Sequence, residues 1–257
     1  MWSFLIATVL LPLPLAVSTW AQESRPPDAS RPSGRAVLER IDENLVLDSA
    51  TGVSEMIIHG RSGTRSIRSR FWKQGADSSF VEYLSPPREA GKKMLKLGDM
   101  LWTYAPEPAD RIITISGHLL RQSVMGSDLS YEDLLENSRL IEVYDAEVTG
   151  EEPVGGRPCW VVRMTSRVDD AAYHSRTVWV DKERWLPLRE ERYARSGRLL
   201  KKTTIEEAQR IGERWYISRA TFRDMLSSGE GTEYIVESIE FGAEIPGHIF
   251  SKAALRQ

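Results

Sequence analysis

Apolar residues recur along this chain in two rhythms. Ala36, Val37, Ile41 and Leu45 stand about four apart with charged residues between them, which predicts one amphipathic helix. Ser33 supplies its N-cap, and Thr51-Gly52 is expected to end the region. After that the rhythm shortens to alternation. Strands are expected over 53–59, 65–73, 78–84, 92–97, 100–104, 110–116, 139–149, 159–167, 173–181, 186–195, 198–209, 214–224 and 231–241. Turn-forming groups such as Gly75-Ala76-Asp77, Gly98-Asp99, Gly155-Gly156-Arg157-Pro158 and Ser196-Gly197 separate them.

Links this short join antiparallel neighbours, whereas a parallel pair needs a crossover of about a dozen residues or more. Only 117–138 is long enough for one. Within single strands the alternation sorts the faces: Trp160, Val162 and Met164 fall on one side, Arg163, Thr165 and Arg167 on the other. Met100, Trp102 and Tyr104 repeat the period. Tyr234 and Val236 on one face and Ile235 and Ile239 on the other make a strand apolar on both sides, as expected where one side is covered and the other borders a cavity. The fold class is therefore mainly β (α+β), a strongly curved antiparallel sheet that forms either a barrel or an open half-barrel partly plugged by helices. Residues 245–255 lack alternation, and a single helical turn after Pro246 would dock through Phe250 and Leu255.

The stretch 84–134 concentrates punctuation: Ser85-Pro86-Pro87, Gly98-Asp99, and Met125-Gly126-Ser127-Asp128-Leu129-Ser130-Tyr131-Glu132-Asp133-Leu134. Ser130 followed three residues later by Asp133 predicts a short capped helix near 130–136. A hydrolase reading would make Ser127 or Ser130 a nucleophile. It fails on activation, because a carboxylate alone is a poor base toward serine and His118 is the only imidazole close in sequence. Capping explains the same residues, with the acidic side chains at the positive end of the helix.

Residues 1–21 form an uncharged apolar segment ending in small residues, broken by Pro12 and Pro14, and read as a secretory signal peptide cleaved near Ala21. Residues 22–32 have linker composition and form a flexible lead, leaving one domain over 33–257. The expected compartment is the periplasm. The single cysteine, Cys159, excludes an internal disulfide and sits in the strand-like Pro158-Cys159-Trp160-Val161-Val162, where it reads as a small buried hydrophobe.

A net charge of −3 with both signs interspersed gives no footprint for nucleic acid. His59, His118, His174 and His248 are scattered without metal-ligand spacing, and no phosphate-binding loop, dinucleotide fingerprint or nucleophile elbow occurs. No metal, cofactor or enzyme chemistry is implied. Arg65, Arg68, Arg70, Arg189 and Arg192 alternate along strands and read as solvated or carboxylate-paired. Trp72, Trp102, Trp160, Trp179, Trp185 and Trp215 lie in or beside strands, as core or as the lining of an apolar cavity.

The order of Tyr83-Leu84-Ser85-Pro86-Pro87, Gly91-Lys92-Lys93-Met94-Leu95, Leu101-Trp102-Thr103-Tyr104 and the 125–134 segment resembles the LolA-like outer-membrane lipoprotein-sorting family, over about Val37 to Leu255. The resemblance implies an open antiparallel half-barrel with helices covering its concave face and a hydrophobic cavity between. It also implies a carrier for lipoprotein acyl chains or another amphiphilic lipid rather than an enzyme. The alternative is a non-enzymatic interaction subunit of an RND-type membrane transporter. Helix 33–46 and the 117–136 connection are the expected cover. The expected lining is Met94, Leu95, Trp102, Tyr104, Ile113, Met125, Trp160 and Trp179.

Overall fold

The computed structural model describes residues 31–60, 63–135, 140–169, 171–212 and 214–257. The expected signal peptide and almost all of the flexible lead lie outside the described residues. Helix α1, Gly34–Leu45, begins at Ser33, whose Oγ accepts from Ala36 N at 3.2 Å. Its apolar stripe is buried through Val37, Leu38 and Ile41. Burying three such side chains stabilises the contact by roughly 1.5–3 kcal/mol each.

Thirteen strands follow: β1 Ser49–Gly60, β2 Gly63–Gln74, β3 Ser78–Ser85, β4 Lys93–Leu97, β5 Met100–Ala105, β6 Arg111–Ile115, β7 Tyr144–Val154, β8 Arg157–Ser166, β9 Ser175–Asp181, β10 Pro187–Tyr193, β11 Leu199–Ile211, β12 Arg214–Asp224 and β13 Gly231–Phe241. They form one sheet in the order β6-β5-β4-β3-β2-β1-β13-β12-β11-β10-β9-β8-β7, and the neighbours pair antiparallel throughout. The chain starts in the middle, meanders outward to the β6 edge, crosses to the opposite edge at β7, and meanders back until β13 closes on β1. The sheet remains open between β6 and β7. The long 117–138 region does span a crossover, but it joins the two edges of an antiparallel sheet instead of two parallel strands.

Two expectations are corrected. Thr51-Gly52 does not stop the helix; α1 ends at Leu45, capped by Val46, and both residues lie within β1. Gly52 is there for close approach: a Cβ would meet Ser238 O at 2.2 Å and the Phe71 ring at 2.7 Å. The expected strand start at 139–143 is helical where described, as α3, Leu140–Val143. Its first amides, Leu140 N and Ile141 N, donate to the Asp42 carboxylate of α1 at 3.1 and 3.3 Å, a cap supplied by the tertiary fold.

The crossover from 117 to 135 contains two 3-10 turns and α2, Tyr131–Leu135. Ser130 and Asp133 form the expected reciprocal cap: Asp133 N donates to Ser130 Oγ at 3.2 Å, and Ser130 N donates to Asp133 Oδ2 at 2.7 Å. The C-terminal segment makes two 3-10 turns, Gly247–Phe250 and Lys252–Arg256. Ala254 and Leu255 pack on Phe80, Leu95 and Trp102 with Phe250 alongside.

Candidate functional site

Alternation along β2 sets the site. Ile67, Ser69, Phe71 and Lys73 share one face and border an interior space, joined by Ser79, Val81 and Tyr83 from β3 and Met94 and Lys96 from β4. Val124, Leu129, Asp133 and Leu134 from the crossover border it too. This chamber, about 280 Å³, also touches Leu101 on β5 and Arg192 on β10. Those strands are eight steps apart in the sheet order. At about 4.8 Å per step they would stand about 38 Å apart if the sheet were flat, so it must curve strongly.

A second chamber of about 300 Å³ adjoins the first and shares Phe71, Lys73, Arg192, Phe222 and Tyr234 with it. Its own walls are mainly apolar: Ile205, Trp215, Ile217, Val236 and Ile239, with Leu45 and Leu47 from the end of α1. Val236 and Ile239 reach the same side because the register shifts between Val53/Ser54 and their partners, where β13 carries the extra residue Glu237. Of the second apolar face expected for this strand, Ile239 lines this chamber, whereas Ile235 borders neither chamber.

Five charged side chains line the space, and four of them have fixed partners. Arg192 donates to Asp133 Oδ1 and Glu190 Oε2, both at 2.9 Å, and Arg176 donates to Glu190 Oε1 at 2.7 Å. Burial alone would raise the Glu190 pKa, but Arg192 and Arg176 outweigh it and hold the carboxyl at about 2. Burial opposes ionisation of Asp133 as well. Arg192, the Tyr173 hydroxyl, the Ser130 amide and Lys201 overcome that opposition and keep its pKa below the ordinary range. Lys96, 3% exposed, donates Nζ–H to Ala76 O at 2.9 Å. Lys73 is different. Its ammonium lies 5.8 Å from the Phe71 ring centroid, and among the described residues no acceptor or carboxylate is placed against it.

The rest of the crossover is tied to β2 and to the far half of the sheet. Asp128 accepts from Asp224 N at 2.9 Å and Thr232 Oγ1 at 2.7 Å, while its carbonyl accepts from Lys201 Nζ at 2.5 Å. Tyr173 donates to Asp133 at 2.5 Å, and Arg65 donates to Met125 O. Asp128 and Asp133 thus tie the crossover to the rest of the sheet. Ser127 Oγ is engaged locally, accepting from Leu129 N at 3.2 Å.

The eight expected lining residues separate. Met94 borders the first chamber. Ile113 is on the same face, packed near Leu101 and Ile115 beside α2. Met125 packs on the Met56, Ile58, Ile67 and Tyr83 cluster, beneath the crossover. Leu95, Trp102 and Tyr104 fall on the opposite face under the C-terminal segment, with Lys252 Nζ 4.6 Å from the Trp102 ring centroid. Trp160 packs with α1 in the cluster of Val37, Ile41, Tyr144 and Met164. Trp179 sits beside Cys159 and Leu188, donates to Glu152 at 2.8 Å, and lies 3.5 Å beneath Arg189. Sequence reasoning favoured bulky Trp and Met residues and missed Lys73, Phe71 and Phe222. The parity of Ile67, Phe71 and Lys73 was the available signal for two of these.

Cys159 is buried, and burial pushes its thiol pKa up. Among the described residues no group of His, Cys, Asp and Glu could hold a metal ion, and no helix is long and apolar enough to cross a membrane.

An open, curved antiparallel sheet around an apolar interior defines the fold. A family model described as "Uncharacterized protein" matches residues 75–257, and the chain belongs to that family. Comparison with curated proteins gave no match. Among solved structures, a DUF1329 family protein from Desulfovibrio piger is 23% identical with a TM-score of 0.81, covering 86% of this chain and 97% of that one. An outer membrane lipoprotein-sorting protein domain from Vibrio parahaemolyticus is 23% identical, with a TM-score of 0.78 over 87% and 98% of the two chains. A LolA superfamily protein from Nitrosomonas europaea is 22% identical, with a TM-score of 0.72 over 87% and 100%. These likenesses establish the fold.

Proposed function

We propose that this protein is a periplasmic carrier that shields acyl chains of lipoproteins or another amphiphilic lipid inside the two adjoining chambers, for outer-membrane lipoprotein sorting. The observation that carries the reading is the apolar wall shared by the chambers, formed by Phe71, Phe222 and Tyr234 and extended by Ile205, Ile217 and Val236. Each buried methylene of a chain contributes about 0.8 kcal/mol, so a short length of acyl chain already gives useful affinity. The fold likeness to the Vibrio lipoprotein-sorting domain agrees with this use.

In this reading α1 and the crossover cover the concave face of a half-barrel. Leu45 and Leu47 border one chamber, and Val124, Leu129 and Leu134 border the other, in support of that role. Loading and release then require the cover to move, with the Asp128 and Asp133 struts setting its resistance. The test is titration of delipidated protein with a fluorescent fatty acid. Saturable binding is expected, and no binding across several acyl lipids would contradict the reading.

A further inference from the structure

We propose that Lys73 is an anion-recognition site that holds the acidic head of the bound amphiphile, a carboxylate or phosphate group, while its acyl chain lies in the apolar chambers. The proposal rests on the carrier reading and specifies its ligand.

Lys73 stands where three spaces meet. It borders both chambers and also a small pocket of about 70 Å³ beside Leu45, Leu47, Ala76 and Lys96. A chain lying against Phe71 and Phe222 would therefore have its head within reach of Lys73 at this junction. The side chain is exposed, and it borders all three of these spaces. Burial first, and the nearby Lys96 charge second, hold its pKa below the ordinary lysine range. An ammonium in that position gains from an arriving anion twice, by a charge-assisted hydrogen bond and by relief from its cationic neighbour.

The charge count points the same way. Lys73, Lys96 and Arg192 line these spaces against Glu190 and Asp133. Both carboxylates are engaged by arginine, Asp133 by Arg192 and Glu190 by Arg192 and Arg176. Lys96 is backed by Asp77 and Asp99 and bonded to Ala76 O. The uncompensated positive charge is thus at Lys73, and a monoanionic head would balance it. A neutral amphiphile would leave it unpaired beside an apolar chain, at a desolvation cost.

The experiment compares a pyrene-labelled fatty acid with its methyl ester at neutral pH, using the delipidated full chain, Lys73→Met, Lys73→Arg and, as a second neutral variant, Lys73→Gln. The unmodified protein should prefer the acid by about tenfold, the equivalent of about 1.4 kcal/mol. Lys73→Met and Lys73→Gln should lose that preference while binding the ester at least as tightly as the unmodified protein, which also reports that they are folded; Lys73→Arg should retain it. Equal binding of acid and ester by the unmodified protein, or persistence of the preference in both neutral variants, would overturn the Lys73 assignment and leave the carrier reading standing. Failure of both probes to bind would overturn both. Inorganic phosphate titrated alone separates the sources: weak binding is expected, and tight Lys73-dependent phosphate binding without acid preference would reassign the site to a free anion and overturn the proposal.

Discussion

Asp133 and Arg192 meet at 2.9 Å although they come from opposite halves of the molecule, one on the crossover helix α2 and the other on β10. The aspartate side chain is 3% exposed and the arginine 14%, so the pair works where solvent screening is weak. Tyr173 and Lys201 converge on the same carboxylate, at 2.5 and 3.8 Å. The crossover is thereby held over the first chamber by a buried polar joint as well as by apolar packing.

Asp133→Asn should destabilise the protein by about 3 kcal/mol, since removing one partner of a buried ion pair leaves the other without compensation. Urea unfolding followed by tryptophan fluorescence measures this directly. The helix cap would survive in part through the amide oxygen, so the loss reports mainly the joint to β10. An unchanged unfolding midpoint would show that the joint contributes nothing to holding the crossover.

The same joint predicts acid sensitivity. Glu190 has a folded-state pKa of about 2 against an ordinary value of 4.5, and Asp133 is also lowered from 3.8. Groups whose folded pKa is depressed contribute stability above the unfolded value and lose it as pH falls through the folded one. Thermal midpoints should therefore hold down to about pH 4.5 and then fall steeply toward about pH 2. Glu190→Gln should flatten part of that slope.

Much of the fold was legible in the chain, because strand alternation and turn residues are local signals. Trp160, Val162 and Met164 bury on one side of β8 as their spacing predicts, and Ser33 caps α1. The failures share one physical cause. Leu140-Ile141-Glu142-Val143 has strand-like composition, but Asp42, far away in sequence, supplies its helix cap. Thr51-Gly52 looks like a turn, but the missing Cβ makes room for Phe71 and Ser238. The site was harder to read than the sheet. Trp102 and Phe71 are equally apolar in sequence, and only the assembled sheet puts one beneath the C-terminal segment and the other in the chamber. Lys73 near the end of β2 resembles an ordinary solvated residue in sequence, and only the assembled sheet shows that it borders both chambers.

The C-terminal segment should matter for stability and not for the chamber. Leu255 is fully buried against Phe80, Leu95 and Trp102, on the face away from the lining residues. Leu255→Ala should cost about 2–5 kcal/mol through lost burial and the cavity left behind. Under native conditions the variant should bind a fluorescent fatty acid with unchanged affinity. A large loss of affinity in folded protein would mean that the two faces are coupled.

Filling the second chamber should do the reverse. Ile217 lines it and is only partly buried, so Ile217→Trp adds bulk toward the interior with limited strain on the sheet. Affinity for an acyl probe should fall by about tenfold or more, roughly 1.4 kcal/mol or above. The thermal midpoint should change little. Intact affinity would place the acyl chain elsewhere.

The central claim is that these chambers carry lipid. Native mass spectrometry of protein purified from cells without delipidation tests it most directly, by weighing what comes with the chain. A discrete added mass that dissociates as an acidic amphiphile, and is depleted in Ile217→Trp, is the predicted result. Protein that is always unliganded, and that stays so after incubation with a range of acyl lipids, would contradict the account.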